Sequence, residues 1–231
     1  MSALWGNVWG QAWMRLTPIK GEKGQVEGVQ VWRADLDHPP VGIDVLAQTL
    51  SGDERVRANR FHRPRDRDRF VAARGLLRVL LGDTLGCLPS SLRFRYNTHG
   101  KPALEGDGAR LGFNLSHSEG IALFALVWGR EVGVDIERVQ AGVDLETLAQ
   151  RYLPAQEAAA LRVLPPVRRP DAFTQAWVRH EAYLKALGLG FSSPTPPPEQ
   201  DRWVCLDLQV GPEYRAALVV SAKQEHGPLS P

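Results

Sequence analysis

Residues 111–138 read LGFNLSHSEGIALFALVWGREVGVDIER, three strand-length apolar runs separated by turns too short to hold a helix. Parallel neighbours need a crossover of a dozen or so residues, so these runs must be antiparallel. The expected unit is a meander of three adjacent strands rather than a βαβ repeat. Elsewhere VQVWRADLD (29–37) alternates as a half-buried strand, and LRFRYN (92–97) is a strand leading into the turn NTHGKP (97–102). WVCLDLQV and YRAALVVSA close the chain as two further strands.

Helical patterns lie between these runs. A short helix is expected from Asp44 to Leu50, and Ser51 with Glu54 forms a capping-box signature. Pro64 opens a helix running to about Leu85, whose apolar face carries Phe70, Leu77 and Leu81. Leu145 to Leu164 is helical and broken near Pro154. Pro170 begins a long helix stopped by Gly188 and Gly190, with Phe173, Trp177, His180, Leu184 and Leu187 on one face. The order predicts an α+β fold with antiparallel sheets, in two similar halves of about a hundred residues each. The boundaries read as 29–129 and 130–223, with tails at 1–28 and 224–231. Trp5, Trp9 and Trp13 in the first tail share a helical spacing.

Composition excludes more than it assigns. The 231-residue chain carries a formal net charge of only +2, so bulk charge does not mark it as a polyanion binder. No apolar run approaches the ~18 residues of a membrane span. The opening MSALWGNVWGQAWMRL lacks a basic region ahead of an apolar block, so neither signal nor anchor is expected, and a cytoplasmic location is the expectation. Cys87 and Cys205 have no metal-ligand spacing and are expected to be reduced, mostly buried thiols.

The chemistry-bearing residues fall in five places. In VGVDIER, Asp135 and Glu137 are two apart on a strand and share one face, where like charges repel and raise each other's pKa. On the long helix Glu181 and Lys185 are i, i+4 neighbours. If that helix crosses that strand, Asp135, Glu137 and Glu181 converge as an all-oxygen set suited to Mg²⁺, Mn²⁺ or Ca²⁺ rather than Zn²⁺. The stretch 54–78 is rich in arginine, including Arg57, Arg69 and Arg74, a choice that suits bidentate phosphate or carboxylate contacts. Arg74 shares the apolar face of its helix and needs a partner there. Lys101 in HGKP can reach a phosphate, and Ser116 and His117 in NLSHSEG suit a ligand phosphate better than a hydrolase triad, because no GxSxG elbow is present.

Taken in order, GKP (100–102), FNLSHS (113–118), VGVDIE (132–137) and WVRHEAYLKALG (177–188) resemble the 4′-phosphopantetheinyl transferases, specifically the larger surfactin-synthetase-activator type, with ARGLLR (73–78) fitting the region before the GKP turn. The resemblance covers roughly residues 50–190. It implies two pseudo-symmetric α+β halves with coenzyme A bound in the cleft between them. It implies transfer of the 4′-phosphopantetheine arm to a serine of an apo acyl or peptidyl carrier protein, with release of adenosine 3′,5′-bisphosphate. By the same resemblance Asp135, Glu137 and Glu181 hold Mg²⁺ (or Mn²⁺), and Glu181 is the base toward the serine. Lys185 stabilises the pyrophosphate or leaving group, Lys101, Ser116 and His117 contact the 3′-phosphate region, and Arg57, Arg69 and Arg74 meet the phosphates of coenzyme A. A monomer is expected, with no membrane partner. One departure stands out: His180 occupies a position where the family often has lysine. The rival readings are a catalytically impaired coenzyme A-binding relative and a basic nucleic-acid-binding module, the latter without an aromatic-flanked RNA motif or a helix-turn-helix.

Overall fold

The computed structural model describes residues 26–140, 144–190 and 202–223, together with the backbone of 17–18. In chain order the elements are β1 (Thr17–Pro18), β2 (Val29–Asp35), α1 (Ile43–Ala47), α2 (Gly52–Ala58), α3 (Pro64–Leu85), β3 (Phe94–Tyr96), β4 (Pro102–Leu104), β5 (Leu111–Ser118), β6 (Ile121–Trp128) and β7 (Val132–Arg138). There follow α4 (Leu145–Tyr152), α5 (Ala155–Arg162), α6 (Arg169–Leu187), β8 (Trp203–Asp207) and β9 (Tyr214–Ser221). The tryptophans at 5, 9 and 13 and the proline-rich stretch 192–200 lie outside the described residues.

The fold is α+β, built on two antiparallel sheets with a small hairpin of β3 and β4 beside them. One sheet has the order β1-β2-β6-β5 and the other β7-β9-β8. The first explains why IALFALV is apolar without alternation: both faces of β6 are covered. Ala122, Phe124 and Leu126 join a core with Leu76, Leu77 and Leu80 of α3. Leu123, Ala125 and Val127 join a second core with Val132, Val134 and Ile136 of β7 and Leu218 and Val220 of β9. The opposite face of β9, Ala217 and Val219, packs on Val178, Ala182 and Ala186 of α6. The layers therefore run α3, sheet, sheet, α6.

Three expectations are corrected here. First, β7 is not the third strand of a meander: β2 and β5 occupy both edges of β6, so β7 stacks across from β6 and pairs with β9, Val132↔Val220 to Arg138↔Tyr214. The turn that redirects it uses Gly129 at φ 66°, and Arg130 Nε donates to the Ser221 carbonyl across to β9. Second, the row of Phe173, Trp177, His180, Leu184 and Leu187, placed on one face by its spacing, is not the face that α6 lays on the sheet. A stripe of small residues takes that place, while Phe173 and Trp177 pack with Ala149, Leu153 and Ala158 of the α4–α5 region. Third, both cysteines are exposed, Cys87 just beyond the left-handed Gly86 cap of α3 and Cys205 on the edge strand β8.

The α2 capping box forms as its sequence signature requires, and Glu54 does more than cap. It is 4% exposed and accepts from Arg74 (Nη2, 2.7 Å) and from Arg78 (Nε, 2.6 Å), the latter 1% exposed and also bonded to the Pro89 and Leu92 carbonyls. Burial opposes the charge on Glu54, but the Arg74 and Arg78 guanidiniums and the Ser51 backbone outweigh it and lower its pKa. Removing one member strands buried guanidinium charge, which costs about 3–5 kcal/mol. Glu54→Ala is therefore expected to lose about that much stability in urea unfolding; a loss below ~1 kcal/mol would show the network to be solvated.

Candidate functional site

Gly133 decides where α6 lies. A Cβ there would fall well inside contact distance of the Ala182 carbonyl oxygen and the Ala186 nitrogen, so only glycine lets the helix backbone rest on β7. Strand alternation then turns Gly133, Asp135 and Glu137 to the α6 side while Val132, Val134 and Ile136 enter the inter-sheet core. Glu181 and Lys185 flank Ala182 and Ala186 and arrive beside the two strand acids.

Asp135 is 2% exposed, and its Oδ1 accepts from Lys185 Nζ at 2.5 Å and from Ser116 Oγ at 2.7 Å. Lys185 Nζ also donates to Ser116 Oγ at 2.9 Å. Glu137 accepts from Ser118 Oγ at 2.9 Å. Asn114, earlier on β5, accepts the Val134 amide through Oδ1 at 3.0 Å. Asn114, Ser116 and Ser118 thus replace a backbone ladder along the seam between β5 and β7. They are polar at i, i+2, i+4, a period-two signal legible in FNLSHS once strand alternation is applied; Ser118 and Asn114 did not stand out in the sequence without it.

The acids are under electrostatic pressure. Among the described residues, Asp135 Oδ2 and Glu181 Oε1 are buried without a hydrogen-bond partner. Burial, then the charge of Asp135, raises the pKa of Glu137, with Ser118 and Lys185 opposing. Burial, then Asp135, raises that of Glu181, with Lys185 opposing and Glu137 adding. Three carboxylates face one ammonium. Among the described residues no group of three or more His, Cys, Asp or Glu side chains stands as a ready-made metal cage. The orphaned oxygens and the all-carboxylate donor set nonetheless fit an oxygen-preferring divalent cation.

The other expected residues are distributed around this cluster. His117, next to Ser116 on β5, is exposed, yet enough protein surrounds it that desolvation, followed by Lys185 and Arg69, lowers its pKa. Arg69 is held by Asp37 through two bonds of 2.7 Å, and Arg65 shares the same carboxylate. Those guanidiniums drive the Asp37 pKa far below the ordinary range. Gly120, in the turn after β5, packs against that carboxylate. Arg74 is spent on Glu54 and the Tyr96 hydroxyl. Arg57 lies on exposed α2, 5.4 Å from the Phe70 ring centroid, in an open groove with Val56, Arg60 and Phe61. Lys101 is turned onto α6, donating to the Ala186 carbonyl and to Glu131. His180 is half-buried, and desolvation lowers its pKa, so it adds no cation at neutral pH.

Residues 131–217 match the family described as the 4′-phosphopantetheinyl transferase superfamily, and residues 39–127 match that described as 4′-phosphopantetheinyl transferase, N-terminal. The 4′-phosphopantetheinyl transferase HetI of Nostoc sp. is 45% identical over 166 residues, 71% of this chain and 70% of the relative. The chain belongs to the 4′-phosphopantetheinyl transferase superfamily. A Synechocystis sp. relative is 38% identical over 71% of the chain and 66% of its own length. The 4′-phosphopantetheinyl transferase Gsp of Aneurinibacillus migulanus is 28% identical over 66% and 62%. Among the described residues of this transferase, no helix is long and apolar enough to cross a membrane.

The raised pKa values carry a sign. Glu137 binds its proton more tightly folded than unfolded, so its stability contribution is full below the ordinary glutamate range and is lost as pH rises through its folded pKa. In metal-free protein, Glu137→Gln is expected to raise the melting temperature at pH 7, with the gain vanishing near about pH 4, the range of an ordinary glutamate. Equal melting temperatures at pH 7 would show that Glu137 is not strained by its neighbours.

Proposed function

We propose that this transferase moves the 4′-phosphopantetheine arm of coenzyme A onto a serine of an apo acyl or peptidyl carrier protein, releasing adenosine 3′,5′-bisphosphate, in a magnesium-dependent reaction. The observation that carries this reading is the meeting of Asp135, Glu137 and Glu181 around Lys185, with two buried carboxylate oxygens left unpartnered. Asp135, Glu137 and Glu181 would hold the ion, which when bound supplies positive charge against the pyrophosphate.

The rest of the chemistry falls to side chains. Glu181 takes the proton of the carrier serine as its Oγ bonds to the phosphorus bearing the pantetheine arm. The bond from that phosphorus to the bridging pyrophosphate oxygen breaks, and its electron pair leaves on adenosine 3′,5′-bisphosphate. Burial makes Glu181 a stronger base than an exposed carboxylate. Lys185 offsets charge on the leaving group from beside Asp135. Ser116 orients Asp135 and Lys185, and so acts on the substrate through them. His117, Arg69 and Arg57 are the groups assigned to coenzyme A phosphates, with Arg69 held ready by Asp37. Arg74 is assigned to the Glu54 network instead. Both sheets lie in one chain, which supports the larger, surfactin-synthetase-activator type and a monomer, and we assign a cytoplasmic location with them. A nucleic-acid role finds little support, because Arg65, Arg69, Arg74 and Arg78 are engaged by Asp37 and Glu54.

Intact mass spectrometry of an apo acyl carrier protein incubated with the transferase, coenzyme A and Mg²⁺ tests this. The expected result is a gain of one phosphopantetheine arm, abolished by excess chelator and by Asp135→Ala, with Glu181→Gln lowering kcat by ~10²- to 10⁴-fold. Full transfer in chelator, or in either variant, would overturn it.

A further inference from the structure

The turn between β3 and β4 ends on α6. Asn97 Nδ2 donates to the Gly188 carbonyl at 2.7 Å, and Lys101 Nζ donates to the Ala186 carbonyl at 2.7 Å. These carbonyls belong to the last turn of α6 and its cap, where no intrahelical amide is available. A cation at that end also complements the helix dipole. The turn is shaped to reach them. Asn97 Oδ1 accepts from the His99 and Lys101 amides at 3.0 and 2.9 Å, and Gly100 takes φ 83°. The fit is close on the helix side as well. Gly188 has φ 71°, and a Cβ there would stand 2.8 Å from Asn97 Nδ2 and 3.3 Å from Lys101 Cδ. A Cβ at Gly190 would stand 3.0 Å from His99 Nδ1. Lys101 further donates to Glu131, at the entry to β7, at 2.8 Å. One turn from the first half of the chain thus grips both the end of α6 and the start of β7.

We infer that the Asn97–Lys101 turn is a positioning latch for Glu181 and Lys185. The Ala186 carbonyl that Lys101 holds is adjacent in sequence to Lys185, and Glu181 lies about 6 Å further along the helix axis from Lys185, four residues at 1.5 Å each. Both side chains act on groups presented by β5 and β7, so a shift of the α6 end relative to those strands moves the base and the ammonium away from the reacting phosphorus. Lys101 is spent on protein atoms, and its contribution is to geometry rather than to phosphate binding. The inference rests on the transfer activity proposed above for the part that concerns rate.

The test is transfer kinetics, at varied coenzyme A, of Asn97→Asp, Lys101→Met and Lys101→Arg, each corrected for folded fraction by thermal unfolding. Asn97→Asp keeps the acceptor that shapes the turn and removes the donor to Gly188. The expected result is a fall of at least about tenfold in kcat for Asn97→Asp and Lys101→Met, with KM for coenzyme A changed less than twofold. Lys101→Arg, still a cation of similar reach, is expected to restore most of kcat. A raised KM for coenzyme A with kcat unchanged would overturn the inference in favour of direct phosphate contact, and an unchanged kcat and KM would overturn it in favour of a purely structural turn. If the wild-type chain transfers nothing, the functional reading fails by itself. The latch is then read from amide exchange at Gly188 and Leu189: faster exchange in Asn97→Asp than in wild type supports it, and equal exchange overturns it.

Discussion

The backbone of α6 touches the backbone of β7 at Gly133, and the functional geometry depends on that contact. With any side chain at 133 the helix would have to lift off the strand, because the nearest atoms are main-chain and cannot swing away. The small residues Val178, Ala182 and Ala186 complete the approach. The close packing sets the register between helix and strand, and that register places Glu181 and Lys185 beside Asp135. A bulkier helix face would have given a stable sandwich without the cluster.

The cluster itself works against stability. Three acids compete for one ammonium, two of their oxygens have no partner, and burial raises the pKa of Glu137 and Glu181. Sites of this kind persist when the surrounding structure holds them and when the strain serves function. The holding elements are identifiable. Ser116 and Ser118 fix Asp135 and Glu137 from β5, and the Asn97 turn fixes the end of α6. The first sheet is itself backed by α3, whose Arg74 and buried Arg78 are both held by Glu54. The same pairing logic bears on the arginine-rich stretch: Asp37 and Glu54 engage four of its guanidiniums and offset two of their charges.

Much of this was legible in the sequence, for local reasons. Capping at Ser51, Pro64 at a helix start and glycines after Leu187 are short-range signals, and the helices begin and end near them. The convergence of Asp135, Glu137 and Glu181 was readable only on the assumption that one helix crosses one strand, which the structure meets. The pairing of β7 was not readable, because it depends on β2 taking the free edge of β6 from some ninety residues upstream, and contacts of that range leave no local pattern. The buried face of α6 departs from expectation for a related reason. Helical spacing marked the row from Phe173 to Leu187 as one apolar face, but close approach to a glycine-bearing strand selects small residues, and the aromatics serve the α4–α5 region instead. Lys101 could be placed in a turn from sequence, whereas its partners, the Ala186 carbonyl 85 residues away and the Glu131 carboxylate, could not.

The central claim is that α6 and β7 assemble a carboxylate site for a divalent cation. Titration calorimetry of Mg²⁺ into the wild-type chain and into Asp135→Asn, each saturated with coenzyme A, addresses it most directly. One magnesium ion per chain is expected in the wild type and none detectable in the variant. Equal binding by both, or no binding by the wild type, would contradict it.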